Sequence, residues 1–332
     1  MNLALITNPV AGQWHPTDLS KFLGGNEESV VLVTAAIAKT GVHVDVFTSL
    51  RGPEWISPEG VLYHQREAFN PLEEWDAVIA WKDRALWLQP LAAKLKIHAS
   101  QDVEPPFSTG AMRQIDRFAT LGTYHNDRLP WVPNDRRMTI PLGVEPSEYA
   151  PNGDKAHLAI YATSPDRGLE TLLNDWGHIR RVHPGLRLLI TYDWTRLETM
   201  SGPQGALYAR KLQSLIGDQP GIERATYDAQ GIKTAFQRAE YYVHPLHHPD
   251  ADLFGFGAMK AQACGCKLVL SGLECGFRDM AREWIPYSEW KDGRTEAEIN
   301  PRFCQPATAW SEIVERYWLP LLTGKEASGH AA

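Results

Sequence analysis

The chain has 332 residues, of which 43% are apolar, and a formal net charge of -7 at pH 7. This length is sufficient for two domains with separate cores, and the negative charge argues against strong nonspecific binding of nucleic acids. No stretch reaches the roughly 18 apolar residues that span a membrane, so we expect no transmembrane segment.

The cysteine content and the amino terminus predict a cytoplasmic location. The four cysteines form no CxxC pair and are too few for a disulfide-stapled secreted domain. The opening stretch "MNLALITNPV" is typical of a strand, because neither the basic segment nor the cleavage site of a signal peptide accompanies its apolar run.

In the first half of the chain, short apolar runs alternate with stretches of helical length. The runs "LALIT", "VHVDVFT", "DAVIAW" and "KLKIHAS" predict strands, and residues 26–40 predict a helix. This alternation is typical of repeated βαβ units and predicts a mostly parallel sheet.

The same pattern restarts near residue 157, after the Pro- and Gly-containing stretch "IPLGVEPSEYAPNGD". Strands are predicted at "HLAIYA" and "LRLLITY" and helices over 168–183 and 203–216, with further helix and strand pairs up to residue 271. We therefore predict an α/β protein with two Rossmann-like parallel-sheet domains and a cleft between them. The predicted segments are 1–152, 153–308, a helix at 309–323 that packs back on the first domain, and a flexible tail at 324–332.

Three predicted loops carry residues that favour anionic ligands. In parallel sheets, ligands bind beyond the carboxyl ends of strands, where helix N-termini present free N–H groups. Gly24 and Gly25 precede the first helix, Arg167 precedes the helix after "HLAIYA", and Asp252 opens the glycine-containing stretch "DLFGFG". A glycine-rich turn and an exposed arginine are the alternative interpretations of the first two loops.

Other chemistries lack their motifs. The sequence contains no GxSxG, no GxxxxGK[ST] and no strand-linked GxGxxG, which argues against hydrolase, P-loop and dinucleotide-binding functions. His244, His247 and His248 lie on a proline-containing loop at a spacing that fits no common metal site, so we expect no metal.

Four segments, in order, resemble the retaining nucleotide-sugar-dependent glycosyltransferases of the GT-B type, known as family 4 or glycosyl transferases group 1. They are "GGNEESVVLVTAAIAKTGVHVDVFT", "IPLGVEPSEY", "YATSPDRGLETLLNDW" and "AFQRAEYYVHPLHHPDADLFGFGAMKAQACGCKLVLS". The resemblance implies an amino-terminal domain that binds the acceptor and a carboxyl-terminal domain that binds the nucleotide sugar.

This chain departs from the family pattern at several positions. The family has two glutamates in its donor block, and Asp252 and Lys260 stand at those positions. A carboxylate accepts hydrogen bonds from ribose hydroxyls, whereas the Lys260 ammonium can only donate them, to ribose oxygens or to a phosphate. Ala162, Gln101 and Leu142 likewise replace the residues usual in the family.

The resemblance implies a hexosyl- or pentosyltransferase that retains configuration and needs neither a metal ion nor a cofactor. The donor would be a UDP-, GDP- or ADP-linked sugar, and the acceptor a glycan, a lipid-linked intermediate, a protein or a modified nucleobase. The alternative is a noncatalytic GT-B protein that binds a nucleotide or a glycan. The residues implied are Arg167, Asp252 and Lys260 for catalysis, Gly25, Ser164, Arg167, Tyr192, Phe254, Gly255, Phe256 and Lys260 for the donor, and Gly24, Arg84 and Asp102 for the acceptor side.

Overall fold

The computed structural model describes residues 1–9, 12–21, 23–192, 194–225, 228–248, 252–303 and 308–324. The chain divides into two compact units, Met1–Gly143 with Thr308–Ala332, and Val144–Ala307. Most of the predicted tail, residues 325–332, lies outside the described residues.

The division between the units falls before the predicted boundary at 152/153, because the segment after Gly143 packs on the second unit. The Gln237 side-chain amide donates a hydrogen bond to the Ala150 carbonyl (3.0 Å), and the Tyr149 ring faces the Lys260 ammonium. The segment from Val144 therefore belongs to unit 2.

Unit 1 contains an eight-stranded sheet whose central strands are buried along most of their length. A strand that is covered on both faces needs no polar alternation, and in β1 every residue from Leu3 to Thr7 is buried. The strands are β1 (Asn2–Thr7), β2 (His43–Thr48), β3 (Trp55–Ile56), β4 (Leu62–Gln65), β5 (Trp75–Trp81), β6 (Ala93–Ala99), β7 (Arg117–Thr120) and β8 (Arg137–Thr139). Their order is β3-β4-β2-β1-β5-β6-β7-β8, and only β3 pairs antiparallel. Helices α1 (Gly25–Ala38), α2 (Thr109–Gln114) and α3 (Thr123–Arg128) belong to this unit.

Unit 2 contains a seven-stranded sheet. Its strands are β9 (Ala156–Tyr161), β10 (Arg187–Ile190), β11 (Ile222–Arg224), β12 (Ala239–His244), β13 (Lys267–Leu270), β14 (Glu283–Pro286) and β15 (Glu298–Ile299). The order is β11-β10-β9-β12-β13-β14-β15, with only β14 and β15 antiparallel. The helices are α4 (Leu169–Val182), α5 (Trp194–Ile216), α6 (Ala229–Arg238), α7 (Phe256–Ala263), α8 (Phe277–Met280) and α9 (Tyr287–Trp290). Helix α5 is interrupted at Gly202 (φ 55°, ψ -142°), so its second part begins at Pro203.

One face of the unit 2 sheet packs against α4 and α5. Leu169, Leu172, Leu173, Trp176 and Ile179 recur at helical spacing in α4, and all five are buried. They form one cluster with Tyr161 of β9 and Ile190 of β10. This core fixes the position at which α4 begins relative to the strand ends.

The carboxyl-terminal segment is helical and returns to unit 1. It comprises α10 (Trp310–Ile313), a π-helical stretch (Val314–Trp318) and α11 (Leu319–Thr323). The α10 and π-helical segments contact α1, and the Trp318 ring stacks on Trp81 with centroids 6.4 Å apart. Because α1 is covered both by the sheet and by this segment, its buried residues surround the helix instead of forming a single stripe. In the part of the chain that the structure describes, no helix is long and apolar enough to cross a membrane.

Each sheet has one topological switch point, where successive connections run in opposite directions. In unit 1 the chain runs from β1 to β2 on one side and later to β5 on the other; in unit 2 it runs from β9 to β10 and later to β12. Ligands of open parallel sheets bind outside the carboxyl ends of the strands at such points. A ligand of either unit is therefore expected at the loops that follow β1, β5, β9 and β12.

Candidate functional site

Arg167 and Asp252 meet at the switch point of unit 2. Arg167 follows β9 and Asp252 follows β12, and Arg167 Nη1 lies 3.5 Å from Asp252 Oδ2. The Asp252 side chain is 12% exposed and the Arg167 side chain 38%. The carboxylate is thus largely enclosed, whereas the guanidinium retains an open side for a ligand.

Asp252 also organises the loop that starts α7. Its Oδ1 accepts hydrogen bonds from the backbone N–H groups of Phe254 (3.3 Å) and Gly255 (2.6 Å), and its carbonyl accepts from Gly276 N–H (3.0 Å). Gly255 has φ 80°, and a Cβ there would overlap the Phe277 ring. The Gly255 amide, one of the backbone groups expected to hold a diphosphate, is therefore occupied by Asp252.

Positive charge gathers at the start of α7. Helical side chains point back towards the N-terminus, and the Lys260 ammonium lies 4.1 Å from the ring centroid of Phe256 and 5.4 Å from that of Tyr149. The first amides of a helix lack intrahelical acceptors and form the positive end of its dipole. A cation next to that end strengthens the attraction for an anion.

The loop from Ser164 to Gly168, which contains Arg167, is held by hydrogen bonds and by close packing. The Tyr161 hydroxyl donates to the Ser164 carbonyl (2.8 Å), and the Ser164 hydroxyl donates to Asp166. Gly168 has φ 115°, and a Cβ there would overlap the carbonyl oxygen of Pro245. Only glycine fits between this loop and the end of β12, so the start of α4 is fixed next to Asp252's strand.

His244 lies buried under the site, at the end of β12. It is fully buried at the end of β12, its Nδ1 lies 3.4 Å from the Tyr242 hydroxyl, and its ring meets Phe277 edge-on at 5.1 Å. Burial lowers the pKa of His244 to about 4, so the ring is neutral at pH 7. Its Nε2 has no hydrogen-bond partner among the described residues.

The remaining donor-side residues have different surroundings. Phe254 is buried within the loop before α7, and Phe256 is the first residue of that helix. Tyr192 follows β10 and packs against the cluster formed by the sheet, α4 and α5. Phe254 thus belongs to the support of the loop, whereas Phe256 and Tyr192 are partly exposed at the carboxyl edge of the sheet.

In unit 1, Gly24 and Gly25 form the start of α1. The Glu28 N–H donates to the Gly24 carbonyl (2.9 Å), and the Ser29 hydroxyl donates to the Gly25 carbonyl (2.5 Å). Gly24 has φ -63°, a conformation that any residue adopts. What glycine contributes here is therefore the missing side chain in front of the helix N-terminus, rather than an unusual backbone conformation.

Arg84 is engaged by its own neighbours. Its guanidinium donates to Glu104 Oε2 (3.2 Å) and to the carbonyls of Pro105 (2.8 Å) and Pro106 (3.2 Å), and it lies 3.8 Å from the centroid of the Phe107 ring. These contacts fix the loop after β6. They engage the guanidinium that the resemblance places on the acceptor side.

Asp102 forms an ion pair with Lys82, a residue that the sequence did not single out. Lys82 Nζ lies 2.6 Å from Asp102 Oδ2, and the Asp102 side chain is 59% exposed. Lys82 has φ 60°, the one positive φ of a non-glycine among the described residues. Its N–H donates to the Ala99 carbonyl (3.0 Å) and its carbonyl accepts from the Asn8 amide (3.1 Å), so it bridges the loops at the switch point.

A buried polar layer supports this pair. His125 Nδ1 accepts from Leu121 N–H (3.2 Å), so its Nε2 carries the proton and donates to the Asp102 carbonyl (3.0 Å). Burial lowers the pKa of His125 and keeps the ring neutral. His98 is held likewise, since the Trp87 indole donates to its Nδ1 (3.0 Å) and its Nε2 donates to Glu104 (2.9 Å).

The described residues include no group of three or more His, Cys, Asp or Glu side chains arranged to hold a metal ion. The positively charged side chains near the two switch points include Arg167 and Lys260 in unit 2 and Lys82 and Arg66 in unit 1. What these positions offer chemically is the binding of anionic and polyhydroxylated molecules.

No protein-family model matches the sequence, and no curated protein matches it. Solved structures resemble almost the whole chain. AviGT4, a glycosyltransferase involved in avilamycin A biosynthesis, is 15% identical, with a TM-score of 0.64 and 98% of each chain covered. Anabaena HepE, in complex with UDP and glucose, is 11% identical, with a TM-score of 0.59 and 97% of each chain covered.

The catalytic domain of starch synthase IV from Arabidopsis thaliana, bound to ADP and acarbose, is 10% identical, with a TM-score of 0.56. The match covers 98% of this chain and 92% of that one. These likenesses and the two predominantly parallel sheets confirm the predicted fold class. The chain has the GT-B fold found in these glycosyltransferases.

Proposed function

We propose that this protein is a glycosyltransferase that moves a hexosyl or pentosyl group from a nucleotide sugar to an acceptor, with retention of configuration. The observation that carries the proposal is the pairing of Arg167 with Asp252 at the switch point of unit 2, between the starts of α4 and α7. A diphosphate fits the guanidinium and the helix N-termini, and a carboxylate next to it suits sugar hydroxyls.

Arg167 supplies the main electrostatic contribution. As the bond between the anomeric carbon and the phosphate oxygen breaks, negative charge grows on the departing diphosphate. Arg167 and the amides that start α4 stabilise that charge in place, without solvent reorganisation. The acceptor oxygen bonds to the anomeric carbon on the face that the phosphate leaves, and the phosphate oxygen takes its proton. This sequence of events requires no protein nucleophile.

Lys260 assists Arg167 and allows binding without a metal ion. Its ammonium lies next to the first residue of α7, where the usual glutamate would place a negative charge. The two side chains and two helix N-termini together provide the positive charge that a divalent ion provides elsewhere. Asp252 takes the sugar hydroxyls with Oδ2, the oxygen that faces Arg167, because its Oδ1 is committed to the loop.

Unit 1 takes the acceptor at its own switch point. The start of α1 at Gly24 and Gly25 and the exposed carboxylate of Asp102 line that edge of the sheet, with Lys82 holding Asp102 in place. Hydroxyl groups of a glycan, a lipid-linked intermediate, a protein or a modified nucleobase all suit these partners.

HepE with UDP and glucose, and starch synthase IV with ADP and acarbose, support a nucleotide-linked donor.

Titration calorimetry of the purified chain with UDP, GDP and ADP, first without metal and then with magnesium, tests the donor site. We expect metal-independent binding that weakens about tenfold or more in Arg167→Ala. Arg187→Ala is the control, because Arg187 is an exposed arginine at the opposite, amino end of β10.

Turnover then separates an enzyme from a noncatalytic binder. Release of the preferred nucleoside diphosphate from its hexose and pentose derivatives, measured with and without a mixed glycan acceptor, supports the proposal. Binding without release from any of these sugars would instead support the noncatalytic alternative. Absence of binding by all three nucleotides, or binding that requires magnesium, contradicts the donor site as described.

A further inference from the structure

We propose that Arg224 recognises the nucleobase of the donor and selects guanine. This inference rests on the proposed function of unit 2 as the unit that binds a nucleotide sugar. It adds to that function the identity of the base and the residue that reads it.

Arg224 lies at the same edge of the sheet as the loop that carries Arg167. Tyr161, Ile190 and Arg224 are in register at the carboxyl ends of the neighbouring strands β9, β10 and β11. Adjacent strands lie about 4.8 Å apart, so the backbone of Arg224 lies two strand spacings, about 10 Å, from the end of β9. A nucleoside bridges such a distance between a diphosphate at Arg167 and a base at Arg224.

Arg224 also lies on the face of the sheet that α4 covers. Tyr161 and Ile190 belong to the buried cluster that α4 and α5 cover, and Ile222 packs against the same cluster. Side chains two residues apart on a strand share a face, so Arg224 is on the face of Ile222. A nucleotide that lies along this edge therefore reaches both arginines without crossing the sheet.

The Arg224 guanidinium is held in place by an aromatic neighbour. Its Cζ lies 3.9 Å from the centroid of the Trp194 ring, and Trp194 is only 4% exposed and anchored in the cluster. Stacking on an indole holds the guanidinium flat and leaves its N–H edge available. Within the described ranges, no carboxylate forms an ion pair with Arg224 that would occupy this edge.

A planar fork of N–H donors suits a base with two adjacent acceptors. Guanine presents O6 and N7 in this way, whereas adenine places an amino donor next to N7. In uracil, an N–H donor separates the two carbonyl oxygens. Cytosine has an adjacent acceptor pair on its pairing edge, so CDP belongs in the comparison.

The test is calorimetric titration with GDP, UDP, ADP and CDP on the full chain and on Arg224→Lys, which retains the charge and loses the fork. We expect wild-type protein to bind GDP about tenfold or more tightly than the other three. Arg224→Lys should lower the affinity for GDP to the level of the others and leave theirs unchanged. Arg187→Lys is the matched control, and because Arg224 is exposed, the melting temperature of both variants should stay that of the wild type.

Three outcomes overturn the inference and leave the proposed function intact. They are equal affinity for all bases, preference for UDP, ADP or CDP, and an equal loss for all four nucleotides in Arg224→Lys, which would indicate a phosphate or stacking contact. If none of the four nucleotides binds to the wild type, both the inference and the proposed function are wrong.

Discussion

The Arg167 guanidinium lies 3.5 Å from the Asp252 carboxylate, although the two residues are 85 positions apart in the chain. The turn before α4 is held by Tyr161, and the part of the loop before α7 that begins at Asp252 is held by Asp252 itself. The Arg167 guanidinium, which pairs with Asp252, is also the group that a diphosphate would contact.

This competition predicts opposite effects of Asp252→Asn on binding and on turnover. Asparagine can still accept the hydrogen bond from Gly255 N–H, but it no longer neutralises Arg167. We expect the preferred nucleoside diphosphate to bind about threefold more tightly, since Arg167 is released. Sugar transfer should fall about tenfold or more, because the carboxylate that accepts from the sugar is lost. Calorimetry and nucleotide-release kinetics on the same preparation measure both; weaker binding by Asp252→Asn would contradict the arrangement.

Lys260→Met should weaken nucleoside-diphosphate binding about tenfold. Methionine retains the apolar stem that packs in the buried surroundings of α7 and removes the charge near Phe256. Lys260→Ala should weaken binding equally and lower the melting temperature further, because it also removes the stem. Lys267→Met provides the control, since Lys267 is a half-exposed lysine at the amino end of β13. Unchanged affinity in Lys260→Met would assign Lys260 to packing alone.

Gly168→Ala should destabilise the protein by about 3 kcal/mol. Its φ of 115° is strained for alanine, and the new Cβ would overlap the Pro245 carbonyl. Gly185→Ala isolates the first effect, because Gly185 has φ 83° with no atom within 4 Å of a Cβ, and it should cost about 1 kcal/mol. Urea unfolding of both variants measures the difference in the free energy of unfolding. Equal decreases in the two variants would show that the loop after β9 moves to accommodate the added methyl group.

Lys82→Gly should be more stable than Lys82→Ala by about 1 kcal/mol. Both variants lose the ion pair with Asp102, but only glycine adopts φ 60° without strain. Thermal unfolding of the two variants under identical conditions gives the comparison. Equal melting temperatures would mean that the backbone at Lys82 relaxes once the ammonium is gone.

His244 should make the protein less stable in mild acid. The pKa of His244 is about 4 in the folded protein because of burial, against about 6.5 in an unfolded chain. As the pH falls below 6.5 the unfolded state takes up the proton first, so stability decreases until the pH reaches about 4, by about 3 kcal/mol in total. In His244→Gln this contribution is absent, and the free energy of unfolding should fall less steeply between pH 7 and pH 4.5. Parallel curves for the two proteins would exclude His244 as the source.

The sequence predicted much of the fold because the apolar runs of the central strands are uninterrupted. "LALIT" and "DAVIAW" lie within β1 and β5. The two-residue antiparallel strands β3 and β15 were not predicted, since so short a segment carries no periodicity.

The site was predicted as separate residues and not as an arrangement. Arg167 and Asp252 each precede a helix, which the sequence reveals, but their contact depends on the order β9-β12 in the sheet. Lys82 gave no local signal, because a positive φ at lysine arises from the contacts of its backbone with Ala99 and Asn8. The contacts of Arg84 likewise depend on Glu104 being brought next to it in the fold, and the spacing of the two residues in the sequence does not indicate this.

Gly168 and Gly276 have a consequence for how this protein can evolve. A Cβ at either position would meet backbone atoms, of Pro245 and of Leu253 respectively, rather than the movable end of a side chain. No substitution of a neighbouring side chain can make room there, so the two glycines should persist in descendants of this chain even where Lys260 or Asp252 drifts. Together they would identify distant homologues in which the proposed donor-contacting residues themselves have changed.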